Sequence, residues 1–146
     1  MLGYWNLPEA TAKAVEGGWF HSGDLCRADE EGYLYVVDRK TDMIISGGEN
    51  IYCPEVEAAI ATHPAVEEVA VIGVAHSKWG ETPRAVIVAI DPDRAPDMDE
   101  INAWCRTRLA LYKKPTSVVA VGALPRNASG KVLKTVLRQR YGQPAG

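Results

Sequence analysis

Apolar and polar positions along the chain change period several times, and each change marks an element. Val56, Ala59, Ile60 and His63 recur at the spacing of one helical face, and His63-Pro64 stops the run. Pro54 is placed as a first helical residue, where its missing N–H would have no partner in any case. Val69 to Val74 and Arg84 to Ile90 are rich in β-branched residues and read as buried strands. Asp97-x-x-Glu100 resembles a capping box, opening a helix whose face is Ile101, Trp104, Cys105 and Leu109. Tyr33 to Val37, Met43 to Ile45 and Ser117 to Val121 read as further strands. Val132, Leu133, Val136, Leu137 and Tyr141 define a last helix, closed by Gly142 and Pro144. Alternating helices and strands over residues 43–141 predict an α+β fold, a small mixed sheet with packed helices. Pro8, Gly17-Gly18, Gly23 and Gly32 predict an irregular or β segment before it, with the boundary near Asp38 to Asp42.

Composition adds little to that picture, but charge adds an asymmetry. The 146 residues are 47% hydrophobic and 24% charged, room for one ordinary domain or two small ones. No internal repeat, membrane-length apolar run or signal-peptide pattern is evident, so a soluble cytoplasmic protein is expected. Cys26, Cys53 and Cys105 form no CxxC pair, and His21, His63 and His76 lack ligand spacing. Neither a disulfide framework nor a metal site is indicated. All 19 acidic residues lie at or before Glu100, against seven basic ones, giving −12 there. Residues 101–146 hold nine basic residues and no acid, +9. Either the positive part attracts a polyanion such as a nucleotide, or the two parts fold together and neutralise each other.

Two clusters carry the candidate chemistry. The first runs from Asp38-Arg39-Lys40-Thr41-Asp42 through Ser46-Gly47-Gly48-Glu49-Asn50 to Tyr52; the second is Pro125-Arg126-Asn127-Ala128-Ser129-Gly130-Lys131. Lys131 precedes or opens the last helix, where the macrodipole disfavours a cation. It is either a solvated loop-tip lysine or one placed to reach an external anion. It is no P-loop lysine, because Pro125 stands where that motif needs glycine and Val132 where it needs Ser or Thr. Gly47-Gly48 is either a simple turn or a bend that lets a thin ligand run close to the backbone. Asp24 can accept two ribose hydroxyls or stabilise a turn beside Gly23. Arg39 is a partner for the same sugar or phosphate, or one half of a surface ion pair. Trp79, and Tyr112-Lys113-Lys114-Pro115, combine aromatic surface with positive charge, which suits either core packing or ligand stacking.

The joint order of these motifs resembles the C-terminal portion of the acyl-CoA synthetases, members of the adenylate-forming superfamily. That order is Gly23-Asp24, Asp38-Arg39, Ser46-Gly47-Gly48-Glu49-Asn50, Tyr112-Lys113-x-Pro115 and Pro125-Arg126-x-x-Ser129-Gly130-Lys131. Gly3-Tyr4-Trp5-Asn6 with Pro8-Glu9-Ala10-Thr11 is similar to fatty-acid and aryl-acid CoA ligases, so the resemblance covers essentially the whole chain.

The resemblance implies two half-reactions: a carboxylate and Mg-ATP give an acyl-adenylate and pyrophosphate, then CoA displaces AMP. Between them a small C-terminal domain rotates. On this basis Lys131 is the adenylation lysine, Asp24 and Arg39 bind nucleotide, and Gly47 and Gly48 line the pantetheine path. Trp79 and Tyr112 flank pantetheine, and Lys114, with Lys113, lies near the CoA phosphates. The hinge position, commonly Asp or Lys in that family, is Thr41, whose β-branch narrows its dihedral choices. Residues 1–39 are then expected to be the tail of a large N-terminal adenylation domain that holds the Mg and the acyl pocket. Residues 40–146 are expected to be the mobile lid, inactive alone, whose partner is that domain. A stand-alone CoA- or nucleotide-binding regulatory module is the alternative. A nucleic-acid binder lacks the interleaved exposed aromatics it would need.

Overall fold

The computed structural model describes residues 1–144. The chain divides into two compact units, Met1–Thr41 and Asp42–Gly146.

In the first unit, Pro8 opens helix α1 (Pro8–Ala14). Strands β1 (Asp24–Ala28) and β2 (Leu34–Arg39) form an antiparallel hairpin with a register shift between Leu25 and Cys26. Asp29 shapes the turn: its Oδ1 accepts the N–H groups of Glu31 and Tyr33, and its carbonyl that of Gly32, which has φ +86°. The segment expected to be irregular or β is therefore a helix and a hairpin, and the strand read over Tyr33 to Val37 is β2. Leu34 and Val36 are both exposed, and no inward face marked α1 or β1 in the sequence.

The second unit is built on β5 (Val66–His76) and β6 (Gly80–Ala89), paired antiparallel along almost their full length. Along the other edge of β6 run β3 (Ile44–Ser46), touching at Gly80, and β7 (Ser117–Ala120), parallel over Arg84–Ile87. Strand β4 (Glu49–Ile51) closes a hairpin with β3. Helices α2 (Cys53–Ala61), α3 (Met98–Cys105) and α4 (Lys134–Tyr141) complete the expected α+β fold.

Side chains on opposite faces of the β5–β6 pair enter different cores, as strand periodicity requires. Val66, Val71, Ala85 and Ile87 pack with Val56 and Ile60 of α2 and Ile101 and Cys105 of α3. Ala70, Ile72, Val74, Val86 and Val88 pack with Leu124 and with Leu137 of α4. A sheet covered on both sides needs apolar residues at every position, which is why these strands read as unbroken runs.

Polar groups finish the frame. Asp97 caps α3, accepting the Glu100 N–H at 2.9 Å; the Glu100 carboxylate itself lies 3.4 Å from Nε2 of buried His63. Leu109 lies past the end of α3 but is still buried in the α2–α3 core. Arg84, only 7% exposed, donates to Ser117 Oγ at 2.7 Å and to the carbonyls of Tyr141 and Gln143. A buried guanidinium is tolerated there because it meets carbonyls at the negative end of α4.

The last helix begins later than its apolar pattern suggests. Val132 forms an antiparallel bridge with Arg126, and Leu133 donates its N–H to Pro125 O at 2.8 Å. Lys131 therefore lies on a hairpin tip three residues before Lys134, not at a helix N-terminus.

Ile87→Ala is expected to destabilise the protein by about 2–5 kcal/mol and Asp97→Ala by about 1 kcal/mol, read by urea denaturation.

Candidate functional site

The Lys131 hairpin is held by its own residues. Asn127 Oδ1 accepts three donors: Ser129 N–H at 3.1 Å, Ser129 Oγ at 2.8 Å and Lys131 N–H at 2.9 Å. Arg126 braces the loop from outside, donating to Gly130 O at 2.6 Å and pairing with Glu68 at 2.7 Å. Gly130, at φ +82°, turns the chain in a region side-chain-bearing residues rarely adopt. Lys131 is exposed, and among the described residues no ion pair engages it. The backbone is fixed while the ammonium is presented outward.

Gly47-Gly48 is the two-residue turn between β3 and β4, with Ser46 opposite Glu49. Both glycines have positive φ, +59° and +90°, as a type I′ hairpin turn demands. Gly47 has a second constraint. A Cβ there would lie 2.8 Å from Trp79 Cε3, and its N–H donates to Trp79 O at 2.8 Å. Trp79 is 46% exposed, so it packs on the bend rather than entering the core, and Lys78 Nζ lies 4.5 Å from its ring centroid.

Beside this bend lies a cleft of about 300 Å³, lined by Ser46, Gly47, Glu49, Trp79, Thr82, Pro83, Leu111, Tyr112, Lys114 and Thr116. Four of the six residues assigned to CoA from the sequence, Gly47, Trp79, Tyr112 and Lys114, thus share one wall. Gly48 is at the turn tip outside it. Lys113 is turned away to Glu55 at 2.7 and 2.8 Å, and hydrogen bonding to that carboxylate raises its pKa above the ordinary 10.5. Ser46 and Glu49 of the first motif join the wall, as do Thr82, Pro83, Leu111 and Thr116, which had not been singled out. Only the adjacency of Leu111 to Tyr112 hinted at any of these four. Lys131 does not line the cleft.

In the first unit, Asp24 and Arg39 are cross-strand partners with Arg39 Nε 3.4 Å from Asp24 Oδ1. The sequence-assigned nucleotide pair is therefore adjacent and half-exposed. No group of three or more His, Cys, Asp or Glu able to hold a metal occurs among the described residues.

The positive C-terminal part is largely matched within its own unit. Lys113–Glu55, Arg126–Glu68, Lys134–Glu57 and Arg138–Asp42 each join a base after residue 101 to an acid before it. Mutual neutralisation thus accounts for four of the nine bases; Arg106, Arg108, Lys114, Lys131 and Arg140 enter no ion pair among the described residues. Burial alone would lower the pKa of Lys134, but the Cys53 sulfur and the Glu57 and Asp42 carboxylates outweigh it and raise it.

One small α+β unit thus carries an outward lysine on one braced hairpin and a glycine-walled cleft beside another. The profile of the AMP-binding enzyme C-terminal domain matches residues 55–131, and the chain belongs to that family. It is 55% identical over 142 residues to a feruloyl-CoA synthase of Amycolatopsis, covering 97% of this chain and 29% of that enzyme. A Mycobacterium tuberculosis fatty acyl CoA synthetase structure superposes with TM-score 0.71 at 51% identity, covering 97% of this chain and 28% of the other. The Bacillus subtilis o-succinylbenzoate CoA synthetase in complex with its acyl-adenylate intermediate gives TM-score 0.82 at 43% identity, covering 93% and 28%. The chain therefore spans under a third of the length of these relatives.

Gly47→Ala combines positive φ with a clash, whereas Gly48→Ala has positive φ and open space. The first is expected to cost about 1 kcal/mol more than the second and to shift the tryptophan emission, both read in one denaturation series. Lys134, with its raised pKa, contributes stability fully present below pH 10.5 and lost as pH rises through its higher folded value. Glu57→Gln should accordingly lower the melting temperature throughout pH 6–9, with the difference from wild type narrowing only at strongly alkaline pH.

Proposed function

We propose that this chain is the C-terminal part of an ATP-dependent acyl-CoA synthetase, converting a carboxylate, ATP and CoA to acyl-CoA, AMP and pyrophosphate. The observation that carries the reading is the pairing of two presented elements on one small domain: the Lys131 hairpin and the Gly47–Trp79 cleft. Three relatives named for feruloyl, fatty-acyl and succinylbenzoyl substrates share 43–55% identity with this segment. Such likeness across different acids supports a role in the common chemistry, with the acyl pocket on a large domain outside these residues.

In adenylation, the Lys131 ammonium stabilises negative charge building on the carboxylate and α-phosphate oxygens. A cation whose backbone is fixed beforehand needs little reorganisation at the moment of reaction. Asp24 and Arg39 receive the ribose hydroxyls and adjacent phosphate. Magnesium accompanies the ATP and is held by the large domain.

In thioester formation the chain turns at Thr41 and the other face is used. The pantetheine arm of CoA runs along the glycine bend, where no Cβ obstructs it, between Trp79 and Tyr112. Lys114 meets the CoA phosphates, with Lys113 behind it on Glu55. Residues 1–39 are then the tail of the adenylation domain and residues 40–146 the lid, working in the cytoplasm, in fatty- or aryl-acid metabolism.

In the full-length enzyme, Lys131→Ala should cut acyl-adenylate formation by about 10²–10³-fold, yet leave thioester formation from preformed adenylate near wild type. Pyrophosphate release and AMP release, followed separately, distinguish the two. Equal loss in both half-reactions removes the role given to Lys131. The isolated 146-residue chain should consume no CoA with fatty or aryl acids; robust turnover, or tight CoA binding by the chain alone in calorimetry, favours a self-sufficient module instead.

A further inference from the structure

Helix α4 presents two cations one turn apart. Lys134 reaches Glu57 of α2 at 2.8 Å, and Arg138 Nη2 reaches Asp42 Oδ1 at 2.7 Å. Asp42 is the first residue of its compact unit, directly after Thr41. Its backbone is held as well, since its carbonyl accepts a hydrogen bond from Cys53 Sγ at 2.9 Å. Leu137, between the two cations in sequence, is fully buried in the core beneath β5 and β6. At its other end α4 follows Leu133, which is bonded to Pro125, and so continues directly from the Lys131 hairpin. One helix therefore connects the entry point of the unit to the loop that carries the lysine.

The Arg138–Asp42 pair is more enclosed than the rim pair Arg126–Glu68: side-chain exposures are 30% and 22%, against 43% and 38%. Solvent and salt screen it correspondingly less. The glycine bend is reached differently. From Asp42 the chain enters β3 and arrives at Gly47 within five residues, so the backbone itself, rather than α4, joins the bend to Asp42.

We propose that Arg138 is a positioning residue for Lys131. Its ion pair with Asp42 joins the start of the lid to α4, so that rotation of the chain at Thr41 moves the Lys131 hairpin as one body. Without the pair, part of that rotation is taken up between Asp42 and the helix, and the ammonium arrives displaced. A displacement near 1 Å is enough to slow a reaction severely. The inference rests on the roles given above to Lys131 and Thr41.

The test uses the full-length enzyme and measures the two half-reactions separately. Arg138→Gln should slow adenylate formation about tenfold to a hundredfold. Thioester formation from preformed adenylate should stay within about twofold, because the bend does not depend on α4. Arg138→Lys, which keeps the charge, should recover much of the loss. Asp42→Asn should reproduce the Arg138→Gln pattern, and the double variant should be no slower than either single one, as members of one pair require. Asp42→Asn also keeps the shape of the site, so it carries the test if Arg138→Gln does not fold. Arg140→Gln, an exposed neighbour on the same helix, should leave both half-reactions unchanged. Parallel loss in both half-reactions, no loss in either, or additive loss in the double variant overturns the inference. Lys131→Ala separates the two levels. If it cuts adenylation as expected while Arg138→Gln leaves adenylation unchanged, only this inference fails; if it leaves adenylation intact, the reading of the lysine fails.

Discussion

The long antiparallel pairing of β5 with β6 is the constraint from which the second unit's other features follow. Ten register pairs from Val66↔Ala89 to His76↔Gly80 make a ribbon whose two faces are both apolar. Neither face is stable in water, so each requires a cover: α2 and α3 on one side, α4 and the Leu124 loop on the other. Once both faces are closed, chemistry is left to the edges and ends, where loops emerge. The cleft forms where β3 and the residues before β7 meet the Gly80 end of β6. The Lys131 hairpin forms where the chain doubles back before α4. Arg84 ties β6 from inside to Ser117 and to the carbonyls of Tyr141 and Gln143 at the far end of α4.

Charge follows the same logic at a second level. With the bases late in the chain and the acids early, every cross-pair must bridge elements distant in sequence. Lys134–Glu57, Arg138–Asp42 and Arg126–Glu68 connect α4 and its preceding loop to α2, to the start of the unit and to β5. Exposed pairs of this kind contribute little to stability one by one, about 0–1 kcal/mol. Their value is in register: they determine how α4 is placed over a core that apolar contacts alone would tolerate in more than one way. The asymmetry visible in the sequence is thus in part the trace of intramolecular pairing. Of the five bases outside these pairs, Lys131 and Lys114 are the two that lie on the braced hairpin and in the cleft wall.

What could be read from the residues divides along burial. β5, β6, α2 and α3 were legible because a buried face imposes a period on the sequence. β4 was not, since Glu49-Asn50-Ile51 offers one apolar residue, and neither were α1 and β1, which have no buried face within their unit. The start of α4 was misplaced for the opposite reason. Val132 and Leu133 continue the helical spacing, yet Val132 is held in a bridge to Arg126. Among site residues, the motifs marked both loops, and only the resemblance favoured Lys114 over Lys113. Two identical neighbours differ only in what the fold brings near them: Glu55 for the first, the cleft for the second. The threefold use of Asn127 was equally hidden, because nothing in a single residue type announces how many donors will converge on it.

The two loops solve opposite problems with one device. A lysine is long and rotamer-rich, so fixing its head would be costly; the hairpin instead fixes its root, through Asn127 and Arg126, and leaves the ammonium to adjust to an incoming anion. The glycine bend has no side chain to aim, so its contribution is surface shape, and Trp79 packed against Gly47 keeps that shape from collapsing. Each loop is rigid in its backbone and open at its tip. Rigidity of this kind is useful only if the body bearing the loops moves as a unit. Under the proposed rotation at Thr41, a ribbon covered on both faces and a helix tied back to Asp42 would meet that requirement. A looser domain could keep the same residues and still deliver them imprecisely.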